Sequence, residues 1–333
     1  MPTVAIVALP QVMDTALALI LEILTTANRV RAAGGEGSVF DTRVYGVQGK
    51  TVTTGLGFPF RAHARLEELE EHPASILVLP GQNETDPATL MGRVRSAGSR
   101  RLLRLLEGES RGGTLLAACC SATFYFAEAG LLDRRTATTT WFLASTFREH
   151  YPEVELQPEA TLVRDGRTWT AGAAFSAVDM ALALVRRFAG ARVERRVMRY
   201  LVLEKHPTQA RYMASAHLSS GVPEVAQAEA WVRAHLSTPF SVEDLARATR
   251  TSTRTLARRI TRATGGSTVR FVQRIRAESA VHLLETTELS LDEVALRVGY
   301  QDASTLRRVL TREMQLGARE IRARRRAALV TRP

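Results

Sequence analysis

A chain of 333 residues with a formal net charge of +11 and 45% hydrophobic residues is too long for one comfortable core and too apolar for the disordered class. Its longest apolar stretch near the start, residues 16–24, is broken by Glu22 and is too short to span a bilayer, so no membrane partner is expected. The opening residues lack a basic n-region and a cleavage pattern, and the only cysteines, Cys119 and Cys120, are neighbours that rarely satisfy disulfide geometry. A reduced, cytoplasmic protein is the expectation.

The first half alternates short apolar runs with helical patterns. Residues 4–9 (VAIVAL) read as a buried strand and 14–33 as a helix stopped by Gly34 and Gly35. Residues 42–47 and 76–80 (ILVLP) read as strands, 91–106 as a helix, and 114–119 (TLLAAC) as a strand running into a further helix. Residues 161–164 and 168–171 flank Asp165-Gly166, a hairpin signal, and 178–188 close as an apolar helix. Continuous apolar strands alternating with helices imply an α/β domain, a flavodoxin-like parallel sheet with helices on both faces.

From about residue 192 no strand pattern remains. Pro207, Pro223 and Ser219-Ser220-Gly221 mark a linker. The expected organisation is an α/β domain over 1–195, a linker over 196–222, an all-α domain over 223–326 and a short tail over 327–333.

All basic residues except Lys50 and Lys205 are arginine, and residues 224–333 hold 20 Arg against 12 Asp plus Glu. A basic excess confined to one domain points to an anionic partner. GC-rich coding also writes arginine everywhere, so placement must decide.

Placement does decide, because the last hundred residues repeat. SVEDLARAT, starting at Ser241, matches SLDEVALRV, starting at Ser290. Each opens with a capping box, Ser241 with Asp244 and Ser290 with Glu293. After a short turn the match resumes as Thr255-Leu256-x-Arg258 against Thr305-Leu306-x-Arg308. A helix with a small Ala on its inner face (Ala246, Ala295), a tight turn and a second helix make a helix-turn-helix, whose second helix enters the major groove. The expected outward positions are Arg254, Ala257 and Arg258 in the first copy and Ala303, Ser304, Arg307 and Arg308 in the second. Residues 267–286 form an unbroken helix of roughly 30 Å, close to the ~34 Å of one DNA turn. Arg270, Arg274 and Arg276, on or near that helix, are expected phosphate contacts. Double-stranded DNA is the expected partner.

The segments SVEDLARATRTSTRTLARR, RIRAESAVHLL and LSLDEVALRVGYQDASTLRR resemble the AraC/XylS family of regulators over about residues 223–326. Family members usually carry Gly, Pro and an aromatic residue where this chain has Gln315, Ala318 and Ile321.

In the first half, LLAACCSA is an apolar strand entering a small-residue turn and a helix, a setting that can expose a nucleophile at a helix N-terminus. It resembles the elbow of the class I glutamine amidotransferase-like superfamily of the ThiJ/PfpI type, with Cys120 as the elbow cysteine, followed by Ser121 and Ala122. With residues 170–179 (TAGAAFSAVD), the whole chain resembles the GlxA-type regulators. That resemblance implies a small-molecule effector and a homodimer formed through the N-terminal domain. Those relatives commonly carry Thr-Thr-His-Trp where this chain has Thr138-Thr139-Thr140-Trp141. A threonine hydroxyl cannot serve as general base, so no catalytic residue is expected. Cys120 then reads as a small buried residue or a pocket wall.

Ligands of open parallel sheets bind beyond the carboxyl ends of the strands. Gln11, Gly81, Gln82, Cys120, Ser121, Thr140, Trp141 and Ala174 are the candidate lining there. No GxGxxG, P-loop or metal-ligand spacing occurs, so neither cofactor nor metal is expected. The reading is a sequence-specific DNA-binding regulator that answers to a small molecule. The alternative is a cysteine hydrolase or amidase with a DNA- or partner-binding tail.

Overall fold

The computed structural model describes residues 1–206, 208–213 and 222–323, in two compact units, residues 1–209 and residues from 210 onward. In the first unit a seven-stranded sheet runs in the order β10-β11-β7-β6-β1-β2-β5. Its strands are β1 (Thr3–Ala8), β2 (Asp41–Gly46), β5 (Ala64–Arg65), β6 (Ile76–Leu79), β7 (Leu115–Cys119), β10 (Leu162–Asp165) and β11 (Thr168–Ala171). All pairings are parallel except the β10–β11 hairpin.

The apolar runs are continuous because both faces are covered. Val4, Ile6 and Ala8 of β1, Ile76 and Val78 of β6, and Leu115, Ala117 and Cys119 of β7 enter one core, built with α1 (Asp14–Ala32) and α7 (Ser176–Leu201). The alternate residues, Ala5, Val7, Leu77, Leu79, Leu116 and Ala118, enter a second core with α3 (Pro87–Val94), α4 (Arg100–Gly112), α5 (Thr123–Glu128) and α6 (Ala144–His150). Period-two alternation thus survives as a division between two apolar layers.

Three expectations change. The helix read over 91–106 is two helices, because Asp86 caps α3 with Pro87 at its first position and Ser96–Arg100 turns the chain before α4. The expected domain end at 195 falls inside α7, which bends at Gly190 (φ +84°) and continues to Leu201. The linker begins as attached structure, since Thr208 bridges to Ala160 and Gln209 is buried. A small hairpin, β3 (Thr51–Thr53) with β4 (Pro59–Arg61), the helix α2 (Leu66–Glu71), and the short pair β8 (Thr136–Ala137) with β9 (Glu155–Leu156) are additional elements.

The second unit is helical: α8 (Pro223–Ala234), α9 (Val242–Ala248), α10 (Thr253–Thr264), α11 (Thr268–Thr286), α12 (Leu291–Arg297) and α13 (Ala303–Met314). It has two cores. Leu245, Ala246, Leu256 and Ile260 pack with Phe271 and Ile275 of α11. Val294, Ala295, Leu306 and Leu310 pack with Ala277, Ala280 and Leu284 of the same helix. One helix therefore serves as a wall of both cores and fixes the spacing of the two helix-turn-helix units. At ~1.5 Å per residue it is about 28 Å long. Among the described residues, no helix is long and apolar enough to cross a membrane.

Candidate DNA interface and the elbow pocket

Each helix-turn-helix is built from local bonds. Ser241 Oγ accepts the Asp244 amide at 3.1 Å, and Asp244 Oδ2 accepts the Ser241 amide at 2.9 Å. Ser290 and Glu293 repeat the exchange at 3.2 and 2.6 Å. These bonds favour the charged carboxylates and hold both below their ordinary range, with the amides of Ser241 and Ser290 as the leading cause. The turn after α9 places Arg250 at φ +53°, and the turn after α12 places Gly299 at φ +83°. Ser252 then caps α10 through the Thr255 amide, and Asp302 caps α13 through the Thr305 amide. The Ser304 hydroxyl, followed by the Thr305 amide, pulls the Asp302 carboxyl down to about 2.

The second helices of the two helix-turn-helix units, α10 and α13, bury Leu256 and Ile260, and Leu306 and Leu310, respectively. Arg254 and Arg258 are exposed and Ala257 is half-buried. Ser304, Arg307 and Arg308 are exposed, and Arg308 steadies itself on Thr305 Oγ1 at 3.1 Å. None of these four arginines is ion-paired with a described carboxylate. Ala303 is a correction. It is 6% exposed and sits on the inner side with Leu306 and Leu310, at helical spacings of three and seven.

The arginines of α11 divide. Arg270 is exposed and ion-paired to the buried Glu313 at 3.3 Å, which also takes Arg312 at 2.8 Å. Arg274 is buried: its Nη2 donates to the Ala210 carbonyl and, at 2.6 Å, to the Met213 carbonyl, while Nε lies 3.5 Å from Glu278. Arg276 stands over the Phe240 and Tyr300 rings, 5.3 Å from each centroid, and donates to the Gly299 carbonyl at 3.2 Å. Arg274 and Arg276 therefore hold the fold together and do not present themselves to phosphate. The i,i+4 spacing of Arg274 and Glu278 was the one sequence signal of this role.

In the first unit, β7 ends at Cys119, and Cys120 takes φ +56° as the first residue of a one-turn 3-10 segment that leads into α5. A side chain rarely adopts this conformation, and here it makes the sharp strand-to-helix elbow. Gly81 makes room for it, since a Cβ there would come within 2.8 Å of Cys120 Cβ. Ser121 Oγ accepts the Gln82 amide at 2.9 Å and donates to the Gln82 carbonyl at 3.1 Å. The Gln82 side chain is fixed at both ends, donating to the Pro10 carbonyl at 2.7 Å and accepting from Tyr125 Oη at 2.9 Å.

Cys120 is 2% exposed. Burial pushes its thiol pKa up, against smaller downward pulls from the Ser121 amide and the Thr140 and Ser121 hydroxyls. Thr140 is itself fully buried, and among the described residues its hydroxyl makes no hydrogen bond of normal geometry to nitrogen or oxygen. Two of the described histidines are engaged elsewhere: His63 Nδ1 accepts the Val44 amide, and His206 binds Asp179.

Of the expected lining, Gln11 and Gln82 border a cleft of about 290 Å³ with Tyr125 and Arg93, and Gln11 (φ +57°) is exposed. Gly81, Cys120, Ser121 and Thr140 are buried, and Trp141 and Ala174 are half-buried. A larger cleft, about 730 Å³, lies at the opposite, amino ends of β6 and β7 and includes no residue of the elbow.

The elbow between β7 and α5, on a parallel sheet covered on both faces, is matched over residues 4–187 by the model of the DJ-1/PfpI family. The chain belongs to the DJ-1/PfpI family. Residues 245–324 match the model of a helix-turn-helix domain. Two similar proteins of Pseudomonas aeruginosa carry the names HTH-type transcriptional regulator GbdR and CdhR. The first is 24% identical over 62% of this chain and 57% of its own length; the second is 27% identical over 61% of each. This DJ-1/PfpI chain thus spans about three fifths of the length of those relatives. A solved AraC family transcriptional regulator from Pseudomonas putida shares the fold, with a TM-score of 0.51 and 22% identity over 60% of this chain and all of that one.

Proposed function

We propose that this DJ-1/PfpI-family chain is a sequence-specific DNA-binding transcriptional regulator whose N-terminal unit receives a small-molecule effector. The observation that carries the reading is the pair of equivalent helices that turn Arg254 and Arg258, and Arg307 and Arg308, outward from two cores sharing one rigid helix. Arginine reads guanine bidentately in the major groove, and Ser304 can bond either base type. Arg270, exposed at the start of α11, remains a candidate phosphate contact. The relatives named as regulators support the same reading.

We further read the first unit as non-catalytic and as the site of homodimerisation, in a cytoplasmic protein with two free thiols. A thiol kept protonated by burial, with the Thr140 hydroxyl acting on it, is a poor nucleophile. Cys120→Ser is expected to leave DNA binding unchanged and to abolish no amide turnover; amidase activity lost in that variant would restore the hydrolase reading. Sedimentation of the full chain tests the dimer, which joins two DNA-binding units at high effective concentration. The function itself is tested by competition between a site selected from random duplexes and random DNA. The expected preference is about 10³-fold or more, and equal affinity for both would overturn it.

A further inference from the structure

Past α7 the backbone does not leave the first unit at once. His206 donates its amide to Asp179 Oδ1 at 2.9 Å and sets its ring against Oδ2 at 3.2 Å. Thr208 Oγ1 donates to the Glu159 carbonyl at 2.7 Å. Gln209, 3% exposed, then turns its carboxamide into a pocket at the carboxyl end of the sheet. Its Nε2 donates to the Pro158 carbonyl at 2.7 Å and the Thr139 carbonyl at 2.9 Å, with the Ala160 carbonyl at 3.3 Å and Thr138 Oγ1 at 3.4 Å completing a ring of oxygens. Its Oε1 accepts the Ala173 amide at 2.9 Å. Gly172 leaves the space, because a Cβ there would overlap the Gln209 amide. The cradle adjoins the elbow: Thr139 gives its carbonyl to Gln209 and its hydroxyl, at 3.1 Å, to the Cys120 carbonyl.

We propose that this cradle is a binding site for small molecules bearing a terminal primary carboxamide, and that Gln209 is its resident occupant, displaced when such a ligand binds. The chemistry selects the class. The oxygen ring demands N–H donors, and the Ala173 amide demands an acceptor on the same group. A carboxylate would set negative charge against the carbonyl dipoles. An ammonium or guanidinium would satisfy the ring but carries no acceptor for the Ala173 N–H and would forfeit that hydrogen bond. A primary carboxamide meets both demands. Because the occupant is tethered, a free ligand competes with a group held at high effective concentration, and displacing it frees the Gln209 side chain. That this is the effector site rests on the proposed regulatory function.

The test is chemical rescue in the full-length chain, read by hydrogen exchange at the Ala173 amide. Gln209→Ala should speed that exchange by about tenfold or more, and acetamide, which carries the deleted atoms, should restore protection where acetate and methylammonium do not. Gln209→Glu keeps the side-chain volume and should also open the site. Gly172→Ala should open it too but resist rescue, since the new methyl occupies the cradle. Unchanged exchange in Gln209→Ala or Gln209→Glu, or equal rescue by acetate or methylammonium, would overturn the proposal. The exchange readout uses no DNA, so equal affinity of the unsubstituted chain for a selected site and for random DNA would sink the regulator reading and leave the carboxamide result standing.

Discussion

The two helix-turn-helix units reach one backbone geometry through different residues. Both first helices start with a Ser capping box, but the left-handed turn residue is Arg250 in one and Gly299 in the other. Arg250 is exposed, so its cost is only that of the conformation. Gly299 is hemmed in: a Cβ would enter the space of the Leu236 carbonyl oxygen and stand 2.9 Å from Arg276 Nη2. A glycine is thus demanded by packing in one copy and dispensable in the other. The caps of the second helices differ as well, Ser252 against the more acidic Asp302. Duplicated sequence therefore predicts duplicated geometry, not duplicated tolerance to substitution.

That asymmetry can be broken or sharpened by substitution. The largest effect is expected for Gly299→Ala, which combines a strained φ with a steric clash and should cost about 2–4 kcal/mol of stability. Urea denaturation would measure it, and a loss below a few tenths would show that the turn can relax. Arg254→Ala and Arg308→Ala should each cost about 1–3 kcal/mol of specific DNA binding. Equal losses on a selected site and on random DNA would demote them to phosphate contacts. Ser241→Ala and Ser290→Ala should each cost about 1 kcal/mol of stability.

Acid should act through the same caps. The Asp244, Glu293 and Asp302 carboxyls are held low in the folded chain, so their stabilisation is fully present above the unfolded carboxylate range. It is lost as pH falls below that range, for Asp302 between its ordinary 3.8 and about 2. A flat denaturation midpoint across this window would contradict the cap geometry. The smallest effect is Arg250→Gly, which relieves a left-handed non-glycine residue and should stabilise by about 0.5–1 kcal/mol.

How much of this could be read beforehand follows the range of the interactions. Strands 4–9, 76–80 and 114–119 were legible because unbroken apolar runs need two covered faces, and both cores exist. The capping boxes were legible because they join residues three apart. Ala303 was misplaced although its spacing to Leu306 and Leu310 carried the right phase. The inward turn of Arg276 was not legible, since Phe240 and Tyr300 are far from it in sequence. Neither was Gln209, whose partners come from residues 138–173. The elbow fell between these cases: its strand-turn-helix and missing histidine were readable, but the burial of Cys120 is a property of the assembled fold.

The central claim, that both units read DNA at once, is tested most directly by hydroxyl-radical footprinting of the full chain on a selected site. The account predicts two protected tracts about one helical turn apart on one face of the duplex, with Arg254→Ala weakening one tract and Arg308→Ala the other. A single protected tract, or both substitutions weakening the same one, would contradict it.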